Sequence, residues 1–239
     1  DTLDDCFEFF GGTVNARHLI CAYNGDDGFD WDNGFSGKLQ FLALQQDPNN
    51  AADDNGFEGD NDANGTANLP LSEPTIYNAT LCGKNADVAK QQYGMLLRRS
   101  TKGHIFNTIA TGFEAGVDLR DALTSIELKN SIFHGNLAAN VAYAEVKDQV
   151  SMPAALTDDD DKGVDEIAWF MSQGNSTEDP QIKDCFNPGT PDFTPKTTLS
   201  AGAATPPGDG FFDATAKYVG AFEAGKSWAT GNWVDFSHK

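Results

Sequence analysis

Apolar residues along the chain fall in short runs separated by Gly, Asn and Asp turns. The runs at 7–10, 17–23, 38–44, 75–82, 93–98, 104–109, 116–119 and 126–133 are rich in β-branched and aromatic residues, which predicts short strands. No long amphipathic helix separates them, so a doubly wound α/β fold fits poorly. A degenerate repeat runs through these strands. Asn15, Asn78, Asn107 and Asn130 each follow an apolar position closely and precede an apolar pair. The last two lie 23 residues apart and the gap before them is 29, close to one turn of a parallel β-helix. An Asn at one corner of every turn tolerates the left-handed backbone there and can bond the next coil. The pattern predicts an all-β chain, a solenoid of parallel coils, with a β-sandwich as the alternative.

Three stretches interrupt the repeat. Residues 46–69 are polar and acidic and read as a long excursion loop; 136–149 read as helical or extended. Asp158 to Asp161 form an acidic run, read as a solvated turn. Val164, Ile167, Ala168 and Met171 then follow helical spacing and predict one short amphipathic helix. From residue 179 onward Pro180, Pro188, Pro191, Pro195, Pro206 and Pro207 exclude a regular sheet interior. The organisation expected is coils over 1–178 and an extended tail over 179–239 that packs on the solenoid. The tail carries Phe211, Phe212, Tyr218, Phe222, Trp228 and Trp233, expected to cover the apolar end of the solenoid; a binding surface is the alternative.

Charge narrows the function. Asp and Glu total 36 against 16 Lys and Arg, a net charge of −20. That field repels phosphate backbones and anionic headgroups, which argues against nucleic acid and lipid surfaces as partners. No apolar run is long enough to span a bilayer. The four cysteines contain no Cys-x-x-Cys, which excludes zinc-ribbon and thioredoxin-type sites. Their even number suggests export, and of three connectivities Cys6–Cys21 with Cys82–Cys185 is favoured. Four buried thiols are the alternative.

Three acidic clusters alternate carboxylates with aromatics: Asp4 to Glu8, Asp26 to Asp32, and Asp53 to Asp62. If extended, the second sends Phe29 and Trp31 to one face and Asp30 and Asp32 to the other. Stacked coils would crowd such carboxylates, and a hard cation relieves the repulsion. Ca²⁺ suits Asp, Asn and backbone oxygens. The candidate ligands are Asp27, Asp30, Asp32, Glu58, Asp60 and Asp62, against a reading of solvated loop acids; no EF-hand or Gly-rich calcium nonapeptide is present. Carboxylate pairs also serve glycosidases. Asp26-Asp27 with distant His134-Gly135 loosely resembles the acid pair and His-Gly of pectin-cleaving β-helix hydrolases, whose other motifs are missing. A lyase would want a basic residue beside Ca²⁺, for which Arg98, Arg99 and Arg120 are available.

The runs from Asp4 to Asn15, Asp26 to Phe41 and Gly56 to Asp62, with Asn130-Ser131-Ile132-Phe133 and the aromatic ending from Phe211 to Trp233, resemble a group of exported bacterial repeat proteins described as lipoproteins or surface proteins. The resemblance implies a right-handed parallel β-helix at the cell surface or outside the cell, and carries no defined activity. Cys6 stands where that group commonly has Gly, in keeping with a local Cys6–Cys21 staple. Asp1 falls inside a motif, so the resemblance also implies the C-terminal half of such a protein, with N-terminal β-helix coils as a partner. The reading is a non-enzymatic module for adhesion, matrix assembly or glycan contact, whose partners would be a surface glycan or another extracellular protein. A glycan-cleaving β-helix enzyme is the alternative.

Overall fold

The structure is a computed structural model and describes residues 3–49, 55–86, 93–120, 125–136 and 166–237. Strands β1 (Phe7–Phe10), β2 (Ala16–Ala22), β3 (Phe29–Asp32), β4 (Lys38–Gln45), β5 (Phe57–Gly59), β6 (Thr75–Cys82), β7 (Tyr93–Leu97), β8 (Lys102–Thr111), β9 (Ala115–Leu119), β10 (Ser125–Lys129) and β11 (Ile132–His134) build two parallel sheets. Sheet A runs β1-β3-β5-β7-β9; sheet B runs β10-β8-β6-β4-β2, with β11 also on β8. Each odd strand and the even strand after it make one coil. The fold is therefore a parallel β-helix, as the repeat predicts, and not a sandwich. Two of these eleven strands fall outside the runs expected from the sequence. β3 lies in an acid-rich stretch, and β5 lies inside residues 46–69, which are thus not a simple excursion loop. Both are short and flanked by Asp and Gly, so their local signal is that of turns.

Inward positions of sheet A carry Phe29, Trp31, Phe57, Met95 and Val117, and those of sheet B carry Leu39, Leu44, Ile76, Leu81 and Ile105, all fully buried. The first coil is the outermost. Its Phe7 and Phe9 stack on Phe29 and Phe35 and are half-buried, while Phe10 is 66% exposed.

Sheet B bends at one column. His18, Phe41, Asn78, Asn107 and Asn130 align through the strand register, and all have φ of 55–61°. Asn78, Asn107 and Asn130 thus occupy equivalent corners, as expected. Asn15 does not; His18 stands there in its coil, and Asn15 Oδ1 instead accepts the Lys38 N–H at 2.9 Å. The use of the corner also differs from expectation. Their amide N–H groups do not bond the backbone of the next coil but hold the C-terminal tail, while Asn78 Oδ1 accepts from Gln40 Nε2 of the preceding coil at 3.0 Å. Asn78 Nδ2 donates to Tyr218 O (2.7 Å), and Asn130 Nδ2 donates to Gly202 O (2.7 Å). Asn107 and the Ala204 backbone exchange two bonds, at 2.9 and 2.8 Å. Gln40 pairs with the Asp213 backbone in the same way.

The tail begins with an antiparallel pair, β12 (Ile182–Asp184) and β13 (Asp192–Pro195), and continues extended along sheet B. It covers the side of the solenoid, not its end, because the outward positions Phe41, Ala43 and Tyr77 are apolar and need a lid. The end after β11 is covered by helix α1 (Glu166–Ser172), whose buried Phe170 packs on Phe133 at 4.9 Å. Its inner residues are Phe170 and half-buried Trp169, whereas Ala168 and Met171 are exposed, so the expected helical face is turned. The acidic run at 158–161, Val164 and residues 137–149 lie outside the described residues. Both favoured disulfides are closed, Cys6–Cys21 and Cys82–Cys185. Among the described residues no helix is long and apolar enough to cross a membrane.

The amide ladder gives a direct test. Asn107→Ala should cost about 2–3 kcal/mol, roughly 1 for each lost hydrogen bond and roughly 1 for alanine in a left-handed conformation. Asn107→Gly should cost less, since glycine accepts that φ freely. Urea unfolding of the two variants measures the difference.

Candidate functional site

The acidic clusters meet on sheet A and the corner before it. The corner is an Asx ladder. Asp27 N–H donates to Asp5 Oδ1 (2.8 Å), Asn55 N–H to Asp27 Oδ1 (2.7 Å), and Tyr93 N–H to Asn55 Oδ1 (3.1 Å). Here the side chain of one coil does bond the backbone of the next. Two residues further, Phe7, Phe29, Phe57 and Met95 point inward in register. The residues after them, Glu8, Asp30 and Glu58, therefore stack outward on three successive strands.

Strand spacing of about 4.8 Å brings these carboxylates close. One oxygen each from Asp5, Glu8 and Asp30 lie within 4.8 Å of one another, and Asp4, Asp5 and Asp26 form a second such group. Asp30 Oδ1 is buried and has no hydrogen-bond partner among the described residues. Burial, then the charges of Glu58 and Asp5, push the Asp30 carboxyl up to about 8. Burial and Asp5 raise Glu8 as well, and burial raises Asp32 against an opposing bond from the Asn33 N–H.

The six ligand candidates thus fall into different settings. Asp30 is one of the three members of the triad. Asp32 lies two residues further along β3, with its Oδ1 accepting the Asn33 N–H at 2.6 Å. Asp27 is buried in the corner ladder. Glu58 and Asp60 face Arg98, which bonds Glu58 Oε1 and, at 3.1 Å, Asp60 Oδ1; Arg99 reaches Asp60 Oδ2 at 2.6 Å. Asp62 closes its own turn, accepting from Asn64 N–H (2.9 Å), Thr66 N–H (3.1 Å) and the Thr66 hydroxyl, which holds its carboxyl below the usual range.

Asp5 and Glu8 are absent from the candidate set although they join Asp30. A signal for them exists in the sequence. Asp5-Cys6-Phe7-Glu8, Asp27-Gly28-Phe29-Asp30 and Asn55-Gly56-Phe57-Glu58 repeat one pattern of Asx, small residue, Phe and acid. The unequal offsets of 22 and 28 residues hide it.

The model of a family described as a pectate-lyase like beta helix domain matches residues 1–185. No curated protein and no solved structure matches the chain.

Proposed function

We propose the following reading for this chain, which belongs to the pectate-lyase-like β-helix domain family. It is an exported or outer-surface module that contacts glycan along sheet A and holds a divalent cation, Ca²⁺, at Asp5, Glu8 and Asp30. One observation carries it: three carboxylates converge within 4.8 Å, and one of them, Asp30, keeps a buried oxygen without a partner among the described residues. A hard cation would supply that partner and cancel the repulsion that burial makes costly. The two disulfides support an oxidising compartment, hence export.

The arginines favour binding over lyase chemistry. A guanidinium acting as a base must give up its proton. Burial alone would ease that at Arg98 and Arg120, but Glu58 and Asp60 outweigh it at Arg98, as Asp118 does at Arg120, and both side chains are held more firmly charged than usual. A hydrolase is the second reading, favoured by Asp30 itself: a carboxyl still protonated at neutral pH can serve as a general acid.

The pH dependence tests the site. An Asp whose folded pKa stands near 8 binds a proton in the folded chain that the unfolded chain has lost above about pH 4. In chelator, stability should therefore fall as pH rises from about 4 to 8. Ca²⁺ competes with that proton, so its stabilisation should grow over the same window, reaching about 2.7 kcal/mol at a hundredfold excess over Kd. That is a melting-temperature rise of about 5–10 °C for a domain of this size. Asp30→Asn should remove both the pH slope and the Ca²⁺ response, and Mg²⁺ should act more weakly. Melting curves unmoved by Ca²⁺ and chelator at pH 8 would discard the cation site. A polysaccharide panel followed by reducing-end and unsaturated-product detection separates the module from the enzyme.

A further inference from the structure

We propose that the cleft between β2 and the C-terminal tail, floored by His18 and Trp228 and edged by Arg17, Asp213 and Glu223, binds a neutral pyranose sugar. The cleft encloses about 330 Å³ and adjoins a second hollow of about 290 Å³ that shares His18 and is bordered by Trp233. The cleft lies at the lower end of small-molecule sites, roughly 300–1,000 Å³, a size for one sugar ring.

The floor is built from ring faces held in place. His18 stacks on Phe41 at 4.8 Å and meets Trp228 edge-on at 5.0 Å. Trp228 stacks on Phe222 at 4.7 Å, and its indole N–H donates to Ala221 O at 2.8 Å, so the ring cannot rotate away. Trp233 lies nearly parallel to Trp228, 6.2 Å away, and is 59% exposed. Exposing a large indole to water is unfavourable, and the apolar C–H face of a sugar ring is a fitting cover.

The rim supplies hydroxyl partners of both kinds. Arg17 donates to Phe211 O at 3.1 Å and lies over the Phe211 ring at 5.6 Å, which fixes a guanidinium with further N–H donors. Asp213 Oδ1 is engaged by Thr215, and Glu223 Oε2 by Lys226 at 2.6 Å, so both carboxylates are oriented. Burial, then Glu223 and Asp213, hold the Tyr218 hydroxyl protonated and therefore able to donate. Arg17 and Lys226 balance Asp213 and Glu223, so the rim is neutral on a chain of charge −20. A neutral ligand meets no unpaired charge there, whereas the field of the whole chain opposes an anionic one.

The ligand class rests on the glycan-contact reading; the location does not, since the cleft borders sheet B and the acidic triad lies on sheet A. The test is titration of the full chain with cellobiose, xylobiose, mannobiose and maltose at millimolar concentration, followed by tryptophan fluorescence. At least one sugar should shift the emission. Glu223→Gln should weaken binding about tenfold, the loss of one hydrogen bond to a charged group. Trp233→Ala, which removes the ring beside Trp228 and a wall of the adjoining hollow, should weaken it severalfold and, since Trp233 is exposed, leave the melting temperature unchanged. Chelator and Asp30→Asn should leave binding intact. Binding lost in Asp30→Asn but kept in Trp233→Ala and Glu223→Gln would move the sugar to sheet A and overturn the cleft. No response to any of the four sugars would overturn it as well, whatever Ca²⁺ does to stability.

Discussion

Loss of the Cys82–Cys185 bridge is expected to lower stability by about 3–5 kcal/mol. The bridge joins the end of β6 to the tail across 103 residues of sequence. On the chain-entropy view a loop of that length is worth about 4.7 kcal/mol, because the open unfolded chain has far more conformations to lose. Cys185 is also 1% exposed and packs with Ala43, Phe193, Ala221 and Phe222, so the bridge pins the apolar patch under the tail. Cys82→Ala with Cys185→Ala should lower the melting temperature by about 6–20 °C, at about 2–4 °C per kcal/mol. The tail should also loosen before the coils, since only non-covalent contacts, among them the bonds from Gln40, Asn78, Thr80, Asn107 and Asn130, would then hold it. Protease susceptibility between β13 and Phe211, with and without reductant, reads that order. A midpoint indifferent to reductant would refute the argument.

The second large effect lies behind the acidic face. Trp31 is fully buried, and its indole N–H donates to Thr101 Oγ1 at 3.0 Å. Its ring occupies the space that a side chain at position 59 would need: a Cβ on Gly59 would stand 2.4 Å from Trp31 Cζ2. Trp31→Ala should cost about 3–5 kcal/mol through the cavity it leaves. Gly59→Ala should cost about 1–3 kcal/mol by overpacking. The double variant should cost less than the two together by about 1 kcal/mol or more, because the new methyl group enters the vacated space. Strict additivity in chemical denaturation would show that the two positions do not compete. Since Asp30 and Asp32 flank Trp31 on the outward side of β3, Trp31→Ala should also weaken the Ca²⁺ response.

Much of the architecture is written locally. Alternation at 29–32 sends Phe29 and Trp31 inward and Asp30 and Asp32 outward before any partner strand is known. Asn78, Asn107 and Asn130 mark corners because asparagine tolerates positive φ. The strands at Phe7–Phe10 and Thr75–Cys82 end where their apolar runs end. β5 escaped because three residues between Asp-rich turns carry too little pattern to register. The inner face of α1 escaped for another reason: the large rings of Trp169 and Phe170 bury more area against Phe133 than Ala168 and Met171 could.

Residue chemistry and spacing alone are enough to specify the inward and outward sets, the turns, the acidity and an even set of cysteines, because each depends on neighbours a few positions away. Which acids share a site depends instead on coil length. Asp5, Glu8 and Asp30 meet because a coil of 22 residues returns the chain one strand spacing away. Glu58 and Asp60 are neutralised because a longer coil of 38 residues brings Arg98 over them. The path of the tail is decided the same way. An amide at a corner can bond the next coil or a covering strand equally well, and only the apolar surface around Phe41, Ala43 and Tyr77 makes the covering strand the better choice.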